Sequence, residues 1–162
     1  MIERHLDAVS LKPDRAYSYL MADDWTEIVD EPLNVERAIA HVSDARAGGI
    51  ATFLGTTRVE TNAQGQSLTA LSYEAYREMA TAQLKDLAKQ ARERWPIIKT
   101  VILHRIGLVK LADPSVIIAV STPHRSEAFE ACRWLIDTLK AQTAIWKKEI
   151  WADGSGTWVS AK

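Results

Sequence analysis

Apolar residues recur with two different periods along this chain, and the switches between them mark out its elements. Over about 76–95, Ala80, Leu84, Leu87, Ala88, Ala91 and Trp95 fall on one stripe. Lys85, Asp86, Lys89, Arg92 and Glu93 face away, so the segment is predicted as an amphipathic helix that Pro96 stops. A second helix is predicted over about 124–140, with Phe129, Cys132, Leu135, Ile136 and Leu139 as its apolar stripe. Arg133, Asp137 and Lys140 lie on or beside its polar face. A shorter helix over about 35–46 takes Asn34 as N-cap, presents Val35, Ala38, Ile39 and Val42, and ends at Gly48-Gly49.

Shorter apolar runs at about 25–29, 50–54, 68–73, 98–105, 115–121, 145–151 and 157–159 read as strands. The polar stretch 60–67 is a loop, so the strands on either side of it are expected to form a hairpin with a long tip. A turn is expected at Asp113-Pro114. The 106–114 connection is too short for a crossover helix. The expected fold class is therefore α+β (mixed α/β), with an antiparallel-rich sheet and packed helices. Residues 1–24 have no firm periodicity and read as a partly ordered N-terminal extension; 25–162 form the expected domain.

Composition narrows the function more than it defines it. Twenty basic and 21 acidic side chains leave a net charge of −1, so no whole-surface attraction to nucleic acid or anionic membrane is expected. The longest apolar run, Val116 to Val120, is too short to span a bilayer, and the first residues lack a signal-peptide core. A cytoplasmic protein is expected. The single cysteine, Cys132, excludes an internal disulfide and an all-cysteine metal site. His5, His41, His104 and His124 lack ligand spacing, and no dinucleotide fingerprint, P-loop or G-x-S-x-G occurs, so no metal or cofactor is expected.

Three constellations carry candidate chemistry. Ser121 to Ser126 joins a strand end to a helix start, with Thr122 as a cap, Pro123 at the first helical position, and His124 and Arg125 beside free backbone N–H groups. That is an anion site, or else a surface His-Arg pair. Gly55-Thr56-Thr57-Arg58 ends a buried strand with two hydroxyls and a guanidinium, either a grip for an oxyanion or a solvated strand terminus. In the third, Lys140, Lys147, Lys148 and Glu149 stand among Ile145, Trp146, Ile150 and Trp151, where lysine could be desolvated and reactive. The plainer reading pairs Asp137 with Lys140, and Lys147 with Glu149 on one strand face. Tyr73-Glu74-Ala75-Tyr76 and His104-Arg105 read as packing. Cys132 sits in an apolar stripe and reads as inert.

Taken together, several motifs resemble the MoaE family, the large catalytic subunits of molybdopterin synthase. They are Phe53 to Arg58, Leu71 to Tyr76, His104 to Gly107, Pro123 to Phe129, Asp137 to Lys140 and Ile145 to Glu149, in that order. The resemblance covers about Val35 to Trp158 and implies a compact α/β fold with a hammerhead-like subdomain. It implies sulfur transfer to cyclic pyranopterin monophosphate, making the dithiolene of molybdopterin. The sulfur donor would be the C-terminal glycine thiocarboxylate of a small ubiquitin-like subunit, in a heterotetramer built on a homodimer.

The resemblance also implies roles. Lys140 would meet the thiocarboxylate, and Lys147 would act on the substrate as acid, base or electrostatic stabiliser. Arg58, His124 and Arg125, aided by Thr56 and Thr57, would bind phosphate and pterin. Lys148 and Glu149 would complete the pocket or orient Lys147. Many members continue past the position of Lys162 and lend an arginine to the neighbouring pocket; this sequence departs from that pattern, and Lys162 lacks the bidentate fork of an arginine. Competing readings are a non-catalytic binding module for a ubiquitin-like tail or anionic ligand, and a phosphate-ester enzyme using Lys147 as base.

Overall fold

The structure, a computed structural model, describes residues 24–159. The expected N-terminal extension lies outside the described residues except for Asp24, and Lys162 lies outside them as well. Eleven elements follow in the order β1 (Trp25–Val29), α1 (Val35–Val42), β2 (Gly49–Thr56), β3 (Leu68–Ala75), α2 (Arg77–Arg94), β4 (Lys99–Arg105), β5 (Gly107–Lys110), β6 (Pro114–Thr122), α3 (Arg125–Gln142), β7 (Ile145–Trp151) and β8 (Gly156–Val159).

The strands form two four-stranded sheets, ordered β1-β4-β6-β2 and β5-β3-β7-β8. All pairings are antiparallel except that of β1 with β4. Strand β6 explains the first sheet. From Ser115 to Thr122 every residue is buried, because helices cover both faces. Ile117 and Ala119 meet α1 through Ala38 and Val42, whereas Val116, Ile118 and Val120 meet α2 and α3 through Leu84, Leu87, Leu135 and Leu139. Each large apolar side chain so buried contributes about 2 kcal/mol. Unpaired backbone groups in the same place would cost about 1–3 kcal/mol apiece, so β6 takes a strand along each edge.

That demand overturns the expected hairpin. β2 pairs with β6, Phe53 opposite Ile118, while β3 joins the second sheet between β5 and β7. An apolar run, a polar loop and another apolar run make a hairpin pattern locally, but β6 outcompetes β3 for β2. Only an isolated bridge, Thr61 with Ser67, narrows the loop. The expected 106–114 connection contains the short strand β5, whose four residues begin at Gly107 with a φ of 81°.

The helices match the periodic stripes, with bounds that differ at the ends. Asn34 caps α1 by accepting from the Arg37 N–H at 2.8 Å, and the helix stops at Val42, well before Gly48-Gly49. Phe129, assigned to the α3 core stripe, is instead 66% exposed, and Ile39 of α1 is also exposed. Cys132 is buried as expected.

His104 stands in the sheet opposite Val116, buried, with Nδ1 2.8 Å from the Arg105 carbonyl. Burial lowers its pKa from 6.5 to about 4, so the folded state holds it neutral where the unfolded chain would protonate it. Its contribution is whole above pH 6.5 and is lost as pH falls through about 4, a change on the order of 3 kcal/mol. Denaturant unfolding from pH 7 to pH 5 is expected to show falling stability in the wild type and a flatter profile in His104→Gln. Parallel profiles would contradict a neutral buried His104.

Candidate functional site

The cationic residues gather at two ends of one strand and one helix. At the start of β2, Gly48 and Gly49 let the chain pass against the N-terminus of α3. A Cβ on Gly48 would stand 2.2 Å from the Pro123 carbonyl oxygen, and one on Gly49 would stand 2.9 Å from the Arg125 Cα. The glycine pair therefore serves this close approach and does not end a helix. Thr122 does not cap α3 directly; its hydroxyl donates to the His124 carbonyl at 2.6 Å, and His124 is the N-cap, with no side-chain cap bond. The first N–H groups of α3 thus lack a side-chain cap beside two exposed side chains, His124 and Arg125. Gly48, Pro123 and Ser126 complete an open depression there.

The other end holds the threonines and Arg58. Thr56 is exposed at the last position of β2, after a register irregularity, while Thr57 is only 2% exposed. The Thr57 backbone is fixed by Asp113 and Ala112, through bonds of 3.2 and 2.8 Å, but its buried hydroxyl has no partner. Arg58 projects into solvent and pairs with Glu60 at 2.7 Å.

Both lysines of interest lie against this second end. Lys140, in the last turn of α3, sets its ammonium 5.8 Å from the centre of the Phe53 ring on β2. Lys147 is half-buried on β7 directly across from Tyr73 of β3, so the two side chains share a sheet face. The Tyr73 hydroxyl lies 3.2 Å from Ser115 Oγ, which in turn lies 3.2 Å from the Gly55 carbonyl oxygen. Tyr73 also meets neutral His104 edge-on, with ring centres 5.0 Å apart. Tyr73 and Ser115 therefore tie the strand bearing Lys147 to the strand end bearing Thr56 and Thr57.

Register separates the remaining residues. Glu149 shares the Lys147 face, opposite Leu71 and Thr157. Lys148 points through the other face, paired with Ser72 and Trp158, its ammonium 5.7 Å from the Trp158 ring. Gly156 leaves room for that side chain, since a Cβ there would lie 2.3 Å from Lys148 Cε. Among the described residues no salt bridge involves Lys140, Lys147 or Glu149, and Asp137 pairs with Arg133 instead. Lys140 is exposed in the single chain, so the desolvation expected for it is absent here.

The two ends are far apart. Gly49 against Arg125 and Thr56 beside Arg58 are seven strand residues apart, roughly 23 Å. Arg125 and Lys140 are fifteen helix residues apart, roughly 22 Å. Within one protomer Lys140 lies over Phe53 of β2 and Lys147 lies across from Tyr73, which Ser115 links to Gly55 just before Thr56, whereas His124 and Arg125 stand at the other end of β2. Sequence reading missed Tyr73 and Ser115, because their role arises from contacts between sheets; Tyr73 fell within a motif read as packing.

Comparison with known proteins shows the family. The MoaE protein family model matches residues 28–142. The molybdopterin synthase catalytic subunit of Thermoplasma volcanium is 45% identical over 138 residues, covering 85% of this chain and 99% of that protein. The crystal structure of molybdopterin synthase from Staphylococcus aureus superposes with a TM-score of 0.78 at 38% identity, covering 83% of this chain and 96% of that one. A complex of subunits 1 and 2 of molybdopterin-converting factor from Helicobacter pylori shares the fold, with a TM-score of 0.64 at 20% identity over 84% of this chain and 89% of that one. The chain belongs to the MoaE family, the catalytic subunits of molybdopterin synthase, and is an enzyme of sulfur transfer to pyranopterin monophosphate in molybdenum cofactor biosynthesis.

Proposed function

We propose that the sulfur comes from the C-terminal glycine thiocarboxylate of a small ubiquitin-like partner and passes to cyclic pyranopterin monophosphate to build the dithiolene. One observation carries this reading. The only cysteine is buried, and burial pushes its thiol up to about 11, so it has neither the exposure nor the thiolate that sulfur relay requires. The sulfur must then arrive from outside. The two-subunit complex of the Helicobacter pylori relative supports a protein donor.

In this reading Lys140 receives the anionic tail of the partner, which would cover the ammonium beside Phe53 and, by excluding water, strengthen the attraction between the two charges. Lys147 stabilises charge or moves protons on the substrate, with Glu149 on the same face to orient it. Thr56, Thr57 and Arg58 hold the substrate; the unpartnered Thr57 hydroxyl supports a polar group entering there. Lys148 braces β7 against Trp158 from the outer face and is left out of this pocket. The catalytic unit is residues 25–162.

His124 and Arg125 require a second copy. Their distance from Arg58 within one protomer supports a homodimer in which each protomer lends its α3 N-terminus to the site of the other, with one small subunit at each end of a heterotetramer.

Lys147→Ala is expected to keep its thermal stability and partner binding while product formation from thiocarboxylated partner and pyranopterin falls roughly 100-fold or more. Near-normal turnover would sink the assignment, and a wild-type chain that binds both ligands without forming product would be a binding module. Mixing also tests the shared site. Lys147→Ala and His124→Ala/Arg125→Ala chains, inactive alone, are expected to recover about one quarter of wild-type activity on random reassociation, because each mixed dimer holds one intact site. No recovery would place all three residues in one protomer's site.

A further inference from the structure

The seven-residue path from Lys140 to Lys147 crosses the end of α3 and the two-residue connection Thr143-Ala144 into β7. Its length alone does not fix how the two ammonium groups face each other, since a helix end is free to fray and a short connection to pivot. The backbone bonds account for part of the restraint. Both the N–H and the hydroxyl of Thr143 donate to the Leu139 carbonyl, at 3.1 and 2.6 Å, and the Tyr76 N–H donates to the Ala144 carbonyl at 3.2 Å. The Ile145 N–H donates to the Thr143 carbonyl at 2.8 Å, which leaves the Ala144 N–H as the last group of the connection, and one side chain takes it together with the Gln142 carbonyl at the end of α3. Gln83 of α2 donates through Nε2 to the Gln142 carbonyl at 2.9 Å and accepts through Oε1 from the Ala144 N–H at 2.8 Å.

We propose that Gln83 is a positioning residue for sulfur transfer, its amide clamping the α3-to-β7 connection so that Lys140 and Lys147 keep one mutual geometry. The inference rests on the catalytic reading of the two lysines. An amide suits the place because one end must donate and the other accept, and the two partners fix which way it points. A leucine of similar size supplies neither bond. A glutamate keeps the acceptor for Ala144 but turns a second oxygen toward the Gln142 carbonyl. α2 is a sound base for such a clamp, since Ala80, Leu84, Leu87, Ala88 and Ala91 bury it against the sheet and α3. The adjacent Leu84 is fully buried, which leaves Gln83 little freedom to drift.

The clamp touches neither Arg58, nor Thr56 and Thr57, nor the start of α3, so substrate affinity is not its business. Losing it shifts the reacting groups relative to each other, an error of the size that costs rate rather than binding. In the reconstituted reaction with thiocarboxylated partner, Gln83→Leu and Gln83→Glu are expected to lower kcat roughly tenfold with KM for the pyranopterin unchanged. Rates are referred to the folded fraction measured by thermal unfolding. Wild-type kcat per folded molecule in either variant, or a loss confined to KM, would overturn the inference. Lys147→Ala in the same assay separates the failures. Wild-type turnover there removes the lysine reading and this inference with it, whereas an inert Lys147→Ala beside a fully active Gln83→Leu overturns the clamp alone.

Discussion

The burial of β6 along nearly its whole length is the constraint on which the rest of the molecule depends. A strand with apolar side chains on both faces needs helices above and below it and strands along both edges. β4 fills one edge and β2 the other. α3, which follows β6 after two residues, folds back over β6 and β2 to cover the face formed by Val116, Ile118 and Val120. The positions of Lys140 over Phe53 and of Arg125 against Gly49 are both consequences of that return.

The same geometry divides the chemistry. Because α3 lies along β2, the cations at its two ends stand over the two ends of the strand. The second sheet adds Lys147 to only one of them. Its attachment there is specific: Tyr73 reaches from β3 to Ser115 on β6, and Ser115 to the Gly55 carbonyl on β2. Three strands from two sheets thus meet through one pair of hydroxyls, with neutral His104 packed at the side of the tyrosine ring. A charged imidazole in that place would disturb the joint, and its depressed pKa keeps it uncharged at neutral pH.

Much of this was legible along the sequence, for reasons that differ by residue. The stripe on α2 was readable because Ala80, Leu84, Leu87, Ala88 and Ala91 are buried by one continuous surface, so period alone identifies them. Phe129 fits the spacing but stands about 100° round α3 from buried Ala128, at the edge of the stripe, and periodicity carries no information about where cover ends. The alternation of Lys147 and Glu149 against Lys148 follows from strand period and holds in the register. The pairing of β2 with β6 was not legible, because local pattern favours the sequential hairpin and only the competition of all strands decides it. The grouping of His124 and Arg125 with Arg58 came from the family resemblance; that β2 holds them a strand length apart within one protomer follows from how α3 lies along β2, which no local pattern states.

In the proposed function, a chain with one inert thiol takes its reactive sulfur from another protein, and this is the claim on which the mechanism stands. Cys132 faces the core with Sγ 3.9 Å from the Ile118 carbonyl, in surroundings that stabilise the neutral thiol. The most direct measurement is mass spectrometry of the product formed by a Cys132→Ala chain supplied with partner whose thiocarboxylate carries heavy sulfur. The account predicts turnover close to wild type and a dithiolene in which both sulfurs are heavy. Loss of turnover, or a product containing unlabelled sulfur, would contradict it.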